Sequence, residues 1–368
     1  MSIKLHNVSK SYKGEKVLDG VSIDVPAAST LVLFGPSGAG KTVLLRAIAG
    51  AIELDGGRIE LEGRDVTNAA PEHRGVGMAF QNFALFPHMS AFENVAAPLR
   101  ARKLDRAAIE AGVHKVAKLL KIDHVLSHAP KALSNGQKQR TSLCRALAAE
   151  PKILLLDDPL RNVDAKLRFE MRLELPRLLG DQGATVIYVT QDYKEAMALG
   201  DRIAVLEAGQ ITQIGTPEEI YLRPAKLAIA RLFGDPTINA LDVEIHQDEQ
   251  GVFTKVSNVR LPLDAGFAGW AGHQVKLGFR PEAADFSSDP KALPVAVEAE
   301  TPLNEKTVSL VTTLRGREIL VSRPSGTIAP VSGQAMITID PAALMLFDAS
   351  SGGRLAAKPG VAQQETAA

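Results

Sequence analysis

The sequence predicts an α/β domain with a parallel sheet, followed by a smaller all-β domain. Three observations carry that expectation. Leu31-Val32-Leu33-Phe34 is a short apolar run that reads as a buried parallel strand, and Leu44, Leu45, Ile48 and Ala49 beyond it fall at helical spacing. Ile153-Leu154-Leu155-Leu156 is a second apolar run, and it delivers the carboxylates Asp157 and Asp158 at its C-terminal end. Around Gly234-Asp235-Pro236 the texture changes to short alternating segments punctuated by Gly and Pro, which suits a small barrel.

Composition narrows the field. A chain of 368 residues exceeds one typical domain, and 45% hydrophobic with 23% charged residues is an ordinary globular mixture. Lys+Arg and Asp+Glu both number 42, so no net field draws the chain to nucleic acid. The single cysteine, Cys144, excludes an internal disulfide and suits a reducing compartment. The first residues hold no apolar core of signal-peptide length, and no apolar run reaches the ~18 residues of a membrane span. If the chain works at a membrane, other subunits are expected to tether it.

Residues 3–34 read as short strands joined by turns, including Lys16-Val17-Leu18 and Val21-Ser22-Ile23-Asp24-Val25. Tyr12 sits in the first turn region and, taken alone, reads as a surface aromatic rather than an adenine contact. Gly35-Pro36-Ser37-Gly38-Ala39-Gly40-Lys41-Thr42 then fits G-x-x-x-x-G-K-[ST] between a strand and a helix, the context that motif requires. Its glycines let backbone N–H groups curl toward phosphate oxygens, and the helix N-terminus adds a positive dipole end. Lys41 would reach the β/γ-phosphates and the Thr42 hydroxyl would ligate Mg²⁺. This is a nucleotide phosphate site.

Arg58-Ile59-Glu60-Leu61-Glu62 alternates as a strand, and Gly63 ends it. Residues 77–89 read as a strand breaking into a loop that carries Gln81, and residues 91–127 read as helical. Ser134 is a good N-cap for a helix through Leu143, Ala146 and Leu147, and its N-terminus is a second anion-favouring end. Cys144 in that helix is most simply a small packing residue. Thr185-Val186-Ile187-Tyr188-Val189 is another buried strand, ending at Thr190-Gln191-Asp192. A helix at 194–199, a strand at 202–206 and a helix near 217–222 follow. Residues 236–349 hold β-like segments such as Val308-Ser309-Leu310-Val311-Thr312, and residues 350–368 read as a disordered tail. The eight His residues show no metal-ligand spacing, and Trp270 fits a barrel core or rim.

Taken in order, the phosphate loop, Gln81, residues 133–137 and residues 153–159 resemble the ATP-binding cassette of ABC transporters, over residues 1–235. Residues 80–89, Asp164-Ala165-Lys166-Leu167-Arg168 and Gly278-Phe279-Arg280-Pro281-Glu282 are similar to the carbohydrate-type importer ATPases of maltose and glycerol-phosphate uptake. The resemblance implies an α/β P-loop NTPase with a helical subdomain at about 86–150, followed at 236–349 by an all-β OB-like regulatory domain. It implies ATP and Mg²⁺ as ligands. Tyr12 would stack on adenine, and Gly35, Ser37, Gly38, Gly40, Lys41 and Thr42 would hold the phosphates. Gln81 would touch Mg²⁺ and the attacking water, Asp157 would hold Mg²⁺ through water, and Asp158 and Gln191 would take the catalytic and switch positions. Ser134 and Gly136, with Gln137 beside them, would grip the γ-phosphate of ATP on an opposite cassette. The implied partners are two transmembrane permease subunits, a second ATPase cassette and, indirectly, an external solute-binding protein, at the cytoplasmic face of the membrane.

Departures from the family pattern carry information too. Asp158 stands where Glu is usual, a methylene shorter, so its oxygens fall roughly 1–1.5 Å short, and a misplacement of about 1 Å can cost on the order of a hundredfold. Gln191 replaces the usual His and cannot carry positive charge. Val43 replaces a second hydroxyl residue, Arg161 a small Ser, and Asn135 a Gly. The expectation is the weaker half of a heteromeric ATPase pair in an importer of a sugar, polyol or glycerol-type solute. A slow but competent homodimer and a non-hydrolysing regulatory scaffold are the alternatives. A soluble cassette protein of translation or DNA repair is disfavoured by the single cassette and the lack of a heptad insert.

Overall fold

The computed structural model describes residues 2–326 and 333–357, and these fall into two compact units that divide between Glu219 and Ile220. In the first unit, apolar residues alternate with polar ones over the start of strand β1 (Ile3–Tyr12) and the end of strand β2 (Glu15–Val25), so Ile3, Leu5, Val21, Ile23 and Val25 point to one face. Residues 15–25 form one strand where the sequence suggests two, because register shifts on β1 absorb the break. Strand β3 (Thr30–Phe34) leads into helix α1 (Lys41–Ala49), and strands β4 (Gly56–Leu61) and β5 (Arg64–Asp65) complete an antiparallel sheet of order β2-β1-β4-β5. Leu44, Leu45 and Ile48 of α1 are fully buried against this sheet and the next. Each such side chain contributes about 1.5–3 kcal/mol of burial.

Strand β6 (Val76–Ala79) is followed by helices α2 (Ala91–Ala101), α3 (Arg106–Leu119) and α4 (Asn135–Ala148), which pack on one another through Val95, Val113, Val116 and Leu143. Capping boxes start both α2, through Ser90 and Glu93, and α4, through Ser134 and Gln137. Buried Asn94 accepts from Phe86 N–H and donates to the carbonyls of Phe86, Met89 and Ser90, tying the loop after β6 to α2. Cys144 is buried, its thiol held far up by desolvation, which fits the packing role.

Strand β7 (Ile153–Asp157), helix α5 (Ala165–Asp181), strand β8 (Thr185–Thr190), helix α6 (Tyr193–Leu199) and strands β9 (Arg202–Glu207) and β10 (Gln210–Gly215) finish the unit. The six-stranded sheet has the order β10-β9-β3-β8-β7-β6 and is parallel except at β10. Every residue of β7 and β8 is buried, as a strand covered on both faces requires. Helix α5 is absent from the expectations drawn from sequence. Its buried stripe, Leu167, Met171, Leu175 and Leu179, is narrow, and residues 167–175 alternate apolar and charged side chains as a strand would.

In the second unit, helix α7 (Pro217–Leu222, split by the division) and helix α8 (Leu227–Leu232) precede the strands. These are β11 (Asn239–Asp248), β12 (Gly251–Val256), β13 (Val259–Pro262), β14 (Gln274–Phe279), β15 (Ala284–Ser287), β16 (Leu293–Pro302), β17 (Lys306–Thr313), β18 (Glu318–Pro324), β19 (Gln334–Ile339) and β20 (Met345–Asp348). They form two antiparallel five-stranded sheets, β13-β12-β11-β14-β20 and β15-β19-β16-β17-β18, around one core that Trp270 packs against. The division lies ahead of residue 235 because Leu227 and Ala230 of α8 cluster with Ile238, Met345 and Phe347. The expected disordered tail at 350–368 is corrected for its first part: residues 350–357 are ordered. Asp348 accepts from the Ser350 and Ser351 hydroxyls, Arg354 bridges Phe347, and Leu355 is buried. Residues 358–368 lie outside the described residues.

Arg280, buried just after β14, holds the helical entry of this unit. Its guanidinium donates to the carbonyls of Tyr221 and Ala230 at 2.8 Å each, and to that of Phe233, and it stacks 3.9 Å from the Tyr221 ring. Arg280→Ala removes this donor from all three carbonyls, and the expected loss is about 2–4 kcal/mol. Arg280→Lys should recover less than half, since an ammonium cannot span the fork. Trp270 is the only tryptophan, so its fluorescence in a urea titration of the full chain reads this unit alone. An unmoved midpoint in Arg280→Ala would refute the anchoring role.

Candidate functional site

In a parallel sheet, every strand presents its C-terminal end at the same edge. Neighbouring positions β3, β8, β7 and β6 therefore bring together the loop 35–42, Gln191, Asp157 with Asp158, and Gln81. A pocket of about 360 Å³ opens there, lined by Ser37, Gly38, Gly40, Lys41, Thr42, Gln81, Asp157, Asp158 and Gln191, with Val17, Val43 and Val189.

The loop's shape depends on glycine. Gly38 and Gly40 take φ of +82° and +104°, and a Cβ on Gly40 would sit 2.7 Å from the Val17 carbonyl oxygen. A Cβ on Gly35 would sit 2.2 Å from the Leu206 carbonyl oxygen. At the start of α1, buried Lys41 donates from Nζ to the carbonyls of Gly35 and Pro36, both at 2.7 Å. Burial lowers its pKa, and the charges of Asp158 and Asp157 oppose that shift. Burial in turn raises Asp157, against the hydrogen bond from Thr42 and the charges of Arg46 and Lys41. Asp158 is also raised by burial and partly held down by Arg161, whose Nη1 lies 3.9 Å from Asp158 Oδ2.

Thr42 Oγ1 donates to Asp157 Oδ1 at 3.0 Å, so a hydroxyl and a carboxylate oxygen already converge. These hard oxygen donors, beside carboxylates that burial leaves short of counter-charge, suit Mg²⁺. Among the described residues, no cluster of His, Cys, Asp and Glu forms a metal site of its own. An ion here would share its shell with phosphate oxygens.

Other expected site residues lie elsewhere. Tyr12, at the end of β1, is 46% exposed, and Lys10 Nζ stands 5.5 Å from its ring; it does not line the pocket. Ser134, Gly136 and Gln137 form the first turn of α4, also away from the pocket lining. There Ser134 Oγ accepts from Gln137 N–H and Gln137 Oε1 accepts from Ser134 N–H, so both side chains cap the helix. Sequence reasoning misses Val17, which reaches the pocket from the other sheet, and the buried Glu195, four residues after Gln191. The only trace of Glu195 in the sequence is a lone acid on the apolar face shared with Ala196 and Leu199.

Comparison with known proteins agrees with this geometry. The family described as ABC transporter matches residues 18–161, and that described as MalK OB fold domain matches residues 234–284. The chain is 38% identical over 355 residues to the sn-glycerol-3-phosphate import ATP-binding protein UgpC of Yersinia pseudotuberculosis, covering 96% of this chain and 99% of the relative. The chain belongs to the ABC transporter ATP-binding proteins.

A second member, the ABC transporter ATP-binding protein YurJ of Bacillus subtilis, is 37% identical over 95% of this chain and 98% of its own length. UgpC 1 of Rhizobium johnstonii is 43% identical over 77% of this chain and 76% of its own. Among solved structures, the dimeric post-hydrolysis state of the ATP-binding cassette MJ0796 bound to ADP and Pi aligns with a TM-score of 0.56 at 28% identity, over 58% of this chain and 98% of that one. The fold is therefore an ABC cassette followed by a MalK-type OB-fold domain.

In an ABC cassette whose loop is shaped this way, Gly40→Ala is expected to weaken binding of a fluorescent ATP analogue at least about tenfold, because the carbonyl of Val17 leaves the methyl no room. Gly180→Ala, in the helix α5 with open space around it, is the control. It should leave binding unchanged and stabilise the chain by about 0.5–1 kcal/mol. Equal binding by both variants would show that the loop tolerates a side chain.

Proposed function

We propose that this chain binds ATP with Mg²⁺ in the pocket at 35–42 and that hydrolysis of ATP energises import of a small solute. The solute class follows from the relatives named for sn-glycerol-3-phosphate import, which favour that compound or a related sugar or polyol. The observation that carries the reading is the convergence of Lys41, Thr42, Asp157, Asp158, Gln81 and Gln191 on one pocket from four adjacent strand ends.

In this reading the Ser37 to Thr42 backbone and the Lys41 ammonium bind phosphate oxygens, and Tyr12 stacks on the base. Thr42 and Asp157, with Gln81, hold Mg²⁺, which when bound neutralises charge on the phosphates. Asp158 and Gln81 orient the attacking water, and the Gln191 amide donates to the terminal phosphate. Ser134, Gly136 and Gln137 serve a nucleotide on a second cassette across a dimer. Two permease subunits, fed by a solute-binding protein, complete the transporter, and this chain sits peripherally at the cytoplasmic membrane face. Among the described residues no helix is long and apolar enough to cross a membrane. An apolar groove of about 680 Å³ between β6 and the helices, lined by Met78, Phe80, Phe86 and Pro98, supports docking of a permease helix there.

A finer reading is favoured by Asp158 and its neighbour. The shorter carboxylate faces Arg161 at 3.9 Å, and among the described residues no imidazole lines the pocket. Such a site would retain ATP and turn it over slowly, while a partner cassette with Glu and His at these positions hydrolyses against the Ser134 segment. Turnover of the full chain, alone and with any second cassette of its complex, tests both readings. Asp158→Glu with Gln191→His should raise the rate about ten- to a hundredfold, and Lys41→Ala should abolish nucleotide binding. Full activity of the unaltered chain with no gain on restoration would establish an ordinary homodimeric ATPase. Absence of ATP binding would overturn the assignment as a whole.

A further inference from the structure

Gln191 reaches the pocket from an exposed turn between β8 and α6. A glutamine amide must point correctly to be useful, so something else has to fix that turn. Its neighbours are fixed from below. Glu195 is 2% exposed, and its Oε2 accepts from Tyr188 Oη and from Thr190 Oγ1, each at 2.9 Å. The Thr190 hydroxyl in turn accepts from Asp192 N–H at 3.0 Å. Asp192 caps α6 by accepting from Lys194 N–H at 2.8 Å, and its other oxygen faces Arg168 and Arg172 of α5 at 3.9 and 3.6 Å. The residues on both sides of Gln191 are thus tied, and the ties on Thr190 end at one buried carboxylate.

Burying a carboxylate costs stability unless it is well hydrogen-bonded, and Glu195 accepts from two buried hydroxyls on the strand that leads directly to Gln191. We propose that Glu195 is the positioning residue for Gln191: through Thr190 and Tyr188 it fixes the turn that presents the Gln191 amide to the nucleotide pocket. The inference rests on the reading of Gln191 as a contact of the terminal phosphate.

The test uses the full chain and measures ATP turnover, the dissociation rate of a fluorescent ATP analogue and the unfolding midpoint. Gln191→Ala first shows which of the two rates depends on that side chain. Glu195→Leu removes the oxygen that both hydroxyls use, and it should change the same rate by a factor within about threefold of the Gln191→Ala effect. Glu195→Gln keeps an acceptor oxygen there and should stay close to the unaltered chain. In the double variant Gln191→Ala/Glu195→Leu the two effects should not multiply, because they act through one group. If Glu195→Leu folds poorly, Thr190→Val and Tyr188→Phe each remove one of the two bonds and carry the same comparison. A purely structural role lowers the midpoint of Glu195→Leu while leaving the Gln191-dependent rate alone, or multiplies fully with Gln191→Ala; either result overturns the proposal. If Gln191→Ala moves neither rate, the reading of Gln191 itself falls, and the positioning role with it.

Discussion

Two carboxylates and one ammonium buried at the same sheet edge set the terms for the first unit. Lys41, Asp157 and Asp158 have all left water, and burial is the first cause of the pKa shift in each. Desolvation alone disfavours every one of these charges; Lys41 and the two carboxylates partly compensate one another, while Asp157 adds to the penalty on Asp158. Parallel strands with apolar residues along their length can carry such charges only at their ends. The fully buried β7 and β8 provide the apolar lengths, and the shared C-terminal edge gathers the charges. The pocket is the place where an otherwise apolar sheet tolerates charge, because a polyanion and its counter-ion can complete the balance there.

How far this is legible in the sequence depends on how local the signal is. The phosphate loop is readable because the whole motif and its flanking strand and helix lie within a few turns of chain. Asp157 and Asp158 are readable because a buried apolar strand can end in two acids only where its tip meets water or a ligand. Ser134 is readable as a cap, and the structure holds it in a capping box with Gln137. Helix α5 is not, because residues 167–175 alternate apolar and charged side chains at the period of a strand, and Phe169 and Leu173 stay exposed on the helix. Glu195 and the Asp158–Arg161 pair escape for a different reason. Their significance lies in what they touch, and hydrogen bonds from Tyr188 and Thr190 leave no periodic trace in sequence. The packing of α8 with the second unit is not legible in sequence, because the helix is short and its partners, Met345 and Phe347, lie more than a hundred residues away.

The departures from the family pattern look different once their positions are known. Asp158, Arg161 and Gln191 are separate changes in sequence, yet Arg161 faces the Asp158 carboxylate and Gln191 shares its pocket. With Asp158 in its proposed role beside the attacking water, the short side chain leaves space there, and the Arg161 guanidinium 3.9 Å away competes for its charge. Loss of an imidazole then removes the group that would have brought positive charge on the other side. In the proposed weakened-site reading, these three positions act on one charge balance. In the same reading, most of the hold on the ATP phosphates falls to the 35–42 backbone N–H groups and Lys41, which lie outside these three positions. In that reading, binding and hydrolysis draw on different groups of one pocket.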